Sequence, residues 1–233
     1  MPRATPTTSS SAAGNETARD LIEELKGDEF TTKVVVLHDA ERNPAGDGVY
    51  FVRGDITSTA DLERCGIAEA HAAIVFPADR SNEADMRSIL AVMAIESLAP
   101  DVRTVAEVNN PSHVDHFRRA NADEILVTSR LASRLLARSA LYPGLSELVT
   151  DIVSGGAGSE LYRVQLPDNY VGLSIDDLST RLRGEHHATL LAVTRDGHSL
   201  TNPPADFTLQ AGDDAVVVAQ GLGELRPLEL QHA

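Results

Sequence analysis

The chain has 233 residues and 42% apolar content, enough for a buried core in one large domain or two modest ones. Lys+Arg 20 against Asp+Glu 35 gives a formal net charge of -15, which argues against a nucleic-acid or anionic-membrane surface, because neutralising phosphates dominates such binding. The single cysteine, Cys65, excludes an internal disulfide, and no apolar run approaches a membrane span. The expectation is a reduced, cytoplasmic setting with no direct membrane insertion.

Residues 1–13 are a Ser/Thr/Pro/Ala tract without Val, Ile, Leu or an aromatic residue, which predicts a disordered or weakly ordered tail. Ala18, Leu21, Ile22 and Leu25 then fall on one helical face between Gly14-Asn15 and Gly27. Residues 33–37 read as a buried strand ending in His38-Asp39, and residues 49–52 as another leading into Gly54-Asp55-Ile56-Thr57. Ser58 or Thr59 can cap a short helix that carries Leu62 and stops at Gly66. A strand at 72–75 leads through Pro77-Ala78-Asp79 into a helix opening near Ser81-Asn82. That helix is expected to bury Met86, Ile89, Leu90 and Met93, the methionines acting as core filler. Residues 103–108 form the next strand, succeeded by Asn109-Asn110-Pro111, a helix through Phe117 and a strand at 125–127. Short apolar runs alternating with helical patterns predict parallel strands joined by crossover helices, a Rossmann-like doubly wound α/β domain with any site at the carboxyl ends of the strands.

Beyond it, residues 129–140 are amphipathic through Leu131, Leu135 and Leu136. After the break at Tyr142-Pro143-Gly144, a second helix carries Leu145, Leu148, Val149 and Ile152. Such a helix-turn-helix crossover needs a partner for its apolar face, so the chain is expected to be at least a homodimer. Residues 154–158 read as a flexible linker. The remainder of the chain reads as a small α+β module, with an Asp196-Gly197 hairpin turn and a helix over 174–182. The expected divisions are a tail at 1–13, the Rossmann-like domain at 14–138, the crossover end and linker at 139–158, and a carboxyl-terminal module at 159–233.

Several residues invite a ligand. Gly14 and Asn15 stand where a phosphate-binding turn belongs, and the positive end of the adjoining helix would hold negative charge. Asp39, just past the second strand, is placed to accept hydrogen bonds from ribose hydroxyls. Gly54-Asp55 lies where adenosine would sit, although Asp55 could equally cap the next helix. Glu107 and Asn109, near the end of one strand, and Asp79, at the end of its neighbour, could offer oxygen ligands to calcium. An ordinary polar rim is the simpler account of that set. His113 and His116 share a helical face without a third ligand and are expected at the surface. No nucleophile-and-base arrangement is recognisable, so no catalytic residue is assigned.

In their order along the chain, these segments resemble the RCK (regulator of potassium conductance, TrkA-type) family. The resemblance is carried by Gly14-Asn15-Glu16, Phe51-Val52-Arg53-Gly54-Asp55-Ile56-Thr57, Asp61-Leu62-Glu63-Arg64, Ala72-Ala73-Ile74-Val75, Val105-Ala106-Glu107-Val108-Asn109-Asn110-Pro111 and His116-Phe117-Arg118-Arg119-Ala120-Asn121-Ala122-Asp123-Glu124-Ile125. Leu173-Ser174-Ile175, Asn202-Pro203-Pro204 and Ala211-Gly212-Asp213-Asp214 look like the family's carboxyl-terminal (TrkA-C) module. The resemblance implies that Gly14, Asn15, Asp39, Gly54, Asp55 and Glu107 line a site for NAD, ATP or ADP, with calcium as a further ligand. It also implies a homodimer or a higher oligomer forming a gating ring. That ring would act on the membrane subunit of a potassium channel or transporter from the inner face of the cell membrane. The sequence departs from the pattern in lacking an apolar first strand with a full glycine turn. It also has Phe76-Pro77 where some calcium-gated members carry an acid. The competing reading is a nucleotide-cofactor-dependent oxidoreductase on a Rossmann scaffold, which would need a proton-transfer residue facing the cofactor.

Overall fold

Short apolar runs build a parallel sheet from β1 (Thr5–Ser9), β2 (Val34–His38), β3 (Tyr50–Arg53), β4 (Ala72–Phe76), β5 (Arg103–Glu107) and β6 (Glu124–Leu126). The computed structural model describes residues 5–9, 14–27, 33–46, 48–154, 158–225 and 228–230. The strand order is β3-β2-β1-β4-β5-β6, and every pairing is parallel. The order reverses between β1 and β4, which opens a crevice at the carboxyl ends of the strands.

The expected tail is corrected over Thr5–Ser9, which is a central strand rather than a loose segment. It pairs with β2 from Thr5 to Thr8 and with β4 from Thr7 to Ser9. Main-chain hydrogen bonds on both sides hold a run that has no bulky apolar side chain to bury. Pro6, which cannot donate to a ladder, precedes the stretch paired with β4. The rest of that expectation, at residues 1–4 and 10–13, lies outside the described residues.

Helix α1 (Gly14–Gly27) covers one face of the sheet, where Ile22 and Leu25 pack with Val34, Val36, Val49 and Phe51. The opposite face is covered by α2 (Thr59–Arg64), α3 (Asn82–Leu98) and α4 (Val114–Arg119). There Leu62, Val92, Ile95 and Phe117 close over Val35, Leu37, Val75 and Ala106. The amino termini of α2 and α3 carry side-chain caps: Ser58 Oγ accepts from Asp61 N–H, and Ser81 Oγ from Ala84 N–H.

The phase of α3 differs from the expected one. Ile89 is buried as expected, but Met86, Leu90 and Met93 are 45%, 55% and 53% exposed, and the helix turns Ala84, Asp85, Ser88, Ala91, Val92 and Ile95 inward. Apolar residues surround α3 almost completely, so periodicity does not choose a face. The small side chains Ala84, Ser88 and Ala91 let the helix lie close to the sheet, and the bulky ones are left outside.

Two compact units divide at Met1–Tyr142 and Pro143–His232. Helix α5 (Thr128–Leu141) ends the first and α6 (Leu145–Val153) opens the second, with Gly144 at φ 87° making the break. The division falls at the Tyr142-Pro143 step, with α6 packing beside β7 (Glu160–Gln165), while residues 155–157 of the expected linker lie outside the described residues. Neither α5 nor α6 contains a buried residue.

In the second unit, β7, β8 (Thr189–Arg195), β9 (His198–Thr201), β10 (Asp214–Ala219) and β11 (Glu229–Leu230) form an antiparallel sheet in the order β11-β7-β10-β8-β9. Helix α7 (Ile175–His186), capped by Ser174, sends Leu178 and Leu182 into a core with Val164, Val193, Ala215 and Val217. Asp196 and Gly197, both at positive φ, make the β8–β9 turn, the conformation that matches strand twist. Two acids at the start of β10 are locked by arginines. Asp213 accepts from Arg195 Nε and Nη2 at 2.7 Å each, and Asp214 accepts from Arg163 Nε at 2.9 Å and Nη2 at 2.7 Å.

Candidate functional site

Three of the residues singled out from sequence meet at the carboxyl ends of β2 and β3. Gly54 N–H donates to His38 O at 3.0 Å, which ties the two strand ends together. A Cβ at Gly54 would lie 2.5 Å from Asp61 Cγ, so only glycine fits beside that carboxylate. Asp61 Oδ2 in turn accepts Asp55 N–H at 2.9 Å, while Asp55 Oδ1 accepts both Thr57 N–H and Thr57 Oγ1–H at 2.9 Å. Thus Gly54, Asp55, Thr57 and Asp61 form one self-bracing turn. The Thr57 N–H foremost, with the Arg87 guanidinium also contributing, holds the Asp55 carboxyl below its ordinary value. The Asp55 N–H does the same for Asp61.

Arg87, on the second turn of α3, is the member of this site that sequence reading missed. Its Nη2 lies 3.2 Å from Asp55 Oδ1 and 3.7 Å from Asp39 Oδ2, bridging the acids just past β2 and β3. Arg87, Asp39 and Asp55 are all partly exposed. No local pattern marks Arg87. It sits between the buried Asp85 and Ser88, and its reach to β2 and β3 depends on the strand order.

The other candidates engage partners of their own. Glu107 Oε1 accepts from Thr128 Oγ1 at 2.7 Å. Asp79 Oδ1 accepts Ser81 N–H at 2.7 Å, and the Ser81 hydroxyl and N–H hold its carboxyl below the ordinary value. Asn109 Nδ2 donates to the Asp79 carbonyl at 2.6 Å, which brings these two residues together through the backbone. Among the described residues no group of three His, Cys, Asp or Glu is placed to hold a metal ion. Gly14 and Asn15 are the first two residues of α1, while the turn before them, residues 10–13, lies outside the described residues.

A second arrangement, this one buried, braces the crevice next to the switch point. The Asp85 carboxylate, fully buried, accepts the N–H groups of Asn109 and Asn110 at 3.0 Å each and lies 2.7 Å from His113 Nδ1. This corrects the surface placement expected for His113, which is 9% exposed. The link clamps the loop after β5 to the first turn of α3. Two cavities lie away from these strand ends. One of about 510 Å³ is lined by Arg118, Arg130 and Arg134 among others, and one of about 700 Å³ in the second unit includes Arg183 and Thr189.

A parallel sheet in this order, with an acid just past its second strand, defines a Rossmann-type doubly wound α/β domain. Residues 12–128 match the TrkA-N domain, and the chain belongs to that family. It is 26% identical over 217 residues to the calcium-gated potassium channel TvoK of Thermoplasma volcanium, covering 91% of this chain and 62% of the channel. It is 25% identical over 171 residues to potassium channel protein 1 of Methanocaldococcus jannaschii, covering 73% of this chain and 49% of that protein. The chain therefore spans less than two thirds of either relative. The human SLO3 gating ring shares the fold at a TM-score of 0.72 and 15% identity, over 97% of this chain and 46% of that one. No helix among the described residues is long and apolar enough to cross a membrane.

Proposed function

We propose that this chain is a cytoplasmic, ligand-sensing regulatory domain that assembles with further copies of itself and controls the pore of a potassium channel or transporter. The site observation that carries the reading is the convergence of Asp39, Gly54 and Asp55 at the crevice of a Rossmann-type sheet. Ribose hydroxyls would donate to Asp39, and the adenine would lie beside Gly54-Asp55. The phosphates would meet the amino end of α1 at Gly14 and Asn15. NAD, ATP and ADP share this chemistry. The membrane-spanning part would be a fused segment or a partner, and the second unit would serve as the TrkA-C-like module. Similarity to potassium channel proteins supports a regulatory role.

Assembly is supported by exposed apolar residues on α3, on α5 and on α6. On α3, Met86, Leu90 and Met93 form one exposed stripe. On α5 and α6, Leu131, Leu136, Leu141, Leu148 and Val153 are exposed as well. Exposed apolar residues mark interaction surfaces, and more than one such region on one chain allows association beyond a closed dimer. Sedimentation at micromolar concentration should give a dimer or larger, and Leu148→Asp should reduce it by placing an unpaired carboxylate in the buried interface. A monomeric wild type would refute the assembly. For the ligand, calorimetric titration with NAD, ATP and ADP should give heat with at least one nucleotide. Asp39→Ala should weaken that binding roughly tenfold or more through lost hydrogen bonds to a charged acceptor.

A further inference from the structure

Nucleotide and calcium are both candidate ligands for the crevice, and Arg87 separates them. A divalent cation shared by Asp39 and Asp55 needs carboxylate oxygens at about 2.3–2.6 Å, with both acids turned toward one point. The Arg87 Nη2 already lies between them, 3.2 Å from Asp55 Oδ1 and 3.7 Å from Asp39 Oδ2. Asp55 Oδ1 also accepts from Thr57 N–H and Thr57 Oγ1–H, so this oxygen faces three donors. With its lone pairs committed, it is a poor ligand for a metal. Among the described residues no group of three His, Cys, Asp or Glu is placed to hold a metal ion, and the histidine beside Asp39, with His38 Nδ1 3.3 Å from Asp39 Oδ1, brings no negative charge to offset that of the arginine.

We propose that Arg87 is an internal counter-cation: its guanidinium holds the place a divalent ion would take between Asp39 and Asp55. The strand ends are thereby closed to calcium and kept for ligands that donate hydroxyl hydrogen bonds to Asp39. This rests on the reading of the crevice as a nucleotide site and assigns its specificity to one residue. A sugar hydroxyl carries no charge, so it can bind Asp39 without expelling the arginine. A divalent ion must expel it, against both the lost ion pair and direct repulsion.

The test is calcium titration of the full chain, by calorimetry and by the thermal unfolding midpoint, in the wild type, Arg87→Gln, Arg87→Met and Arg87→Gln/Asp55→Asn. Wild type should give no saturable calcium heat and no calcium-dependent rise in midpoint. Without the arginine, the two carboxylates repel each other. Arg87→Gln and Arg87→Met should therefore unfold at a lower temperature, recover on adding calcium, and bind it roughly tenfold or more tightly than wild type. The double variant should lose that gain. Equal calcium affinity in wild type and Arg87→Gln, absence of binding in both single variants, or a gain that survives Asp55→Asn would each overturn the assignment. An ADP and NAD titration of the wild type is read separately. Silence there removes the nucleotide reading and leaves the calcium arms to judge Arg87 by themselves.

Discussion

Each of the two units joins arginines to a pair of aspartates, and they do so in opposite ways. At the start of β10, Asp213 and Asp214 are almost fully buried, each taken by two nitrogens of its own arginine at 2.7–2.9 Å. Behind β2 and β3, one half-exposed Arg87 serves two acids through one nitrogen at 3.2 and 3.7 Å. Arg195 takes both oxygens of Asp213, Arg163 puts two nitrogens on Asp214 Oδ2, and two short hydrogen bonds to one arginine at a buried acid leave little for a ligand to compete for. A shared, monodentate pair leaves acceptor capacity on Asp39 and donor capacity on Arg87. The first arrangement builds a fold, and the second leaves a site open to exchange.

The largest effect that could break this contrast is in the second unit. Arg195→Ala leaves the buried Asp213 carboxylate without its partner and should cost about 3–5 kcal/mol, read as denaturant unfolding of that unit. A loss near zero would erase the distinction. A smaller effect concerns acid. Burial raises the Asp213 carboxyl, but the Arg195 hydrogen bonds, the Gln210 N–H and the Arg195 charge outweigh it and hold the group below its ordinary 3.8. A depressed folded value gives stability that is present above 3.8 and lost as pH falls through the folded value. The second unit should therefore lose stability below about pH 4, and Arg195→Ala should flatten that part of the profile.

Next comes Arg87→Ala, which should cost less than about 1 kcal/mol, because exposed pairs are screened by water. A loss as large as that of Arg195→Ala would mean that the crevice is structural. The smallest effect is at Glu96, where burial foremost, and the nearby Asp123 charge, raise the carboxyl above its ordinary value despite the Thr104 hydroxyl it accepts. A raised folded value means stability is present at low pH and lost as pH rises through it. Glu96→Gln should thus raise the neutral-pH midpoint slightly, by no more than about 2 °C.

How much of this was legible in the sequence varied with the kind of signal. Turn and cap chemistry is local, and it placed the helix after Ser58, the break at Gly144 and the Asp196-Gly197 hairpin. Strand β1 was legible only from the fold, which requires a first strand from within residues 5–13; the tract itself has no bulky apolar residue and reads as a loose tail, because its place is set by two neighbouring strands. The face of α3 was lost for the opposite reason: apolar residues ring the helix, and the small ones decide which side approaches the sheet. At the crevice, the acids Asp39 and Asp55 were visible as strand-end residues. Arg87 and the Asp85–His113 link were not, since both join segments that only the strand order brings together.

The close approach at Gly54 reaches beyond its own position. With 2.5 Å between a would-be Cβ and Asp61 Cγ, residues 54 and 61 cannot vary independently. A larger side chain at 54 displaces the carboxylate at 61 and strips the Asp55 N–H of its acceptor. Across any set of diverged copies of this domain, the two positions should change in concert, glycine persisting wherever an aspartate folds back. Anyone redesigning the crevice must treat them as a single letter of the alphabet.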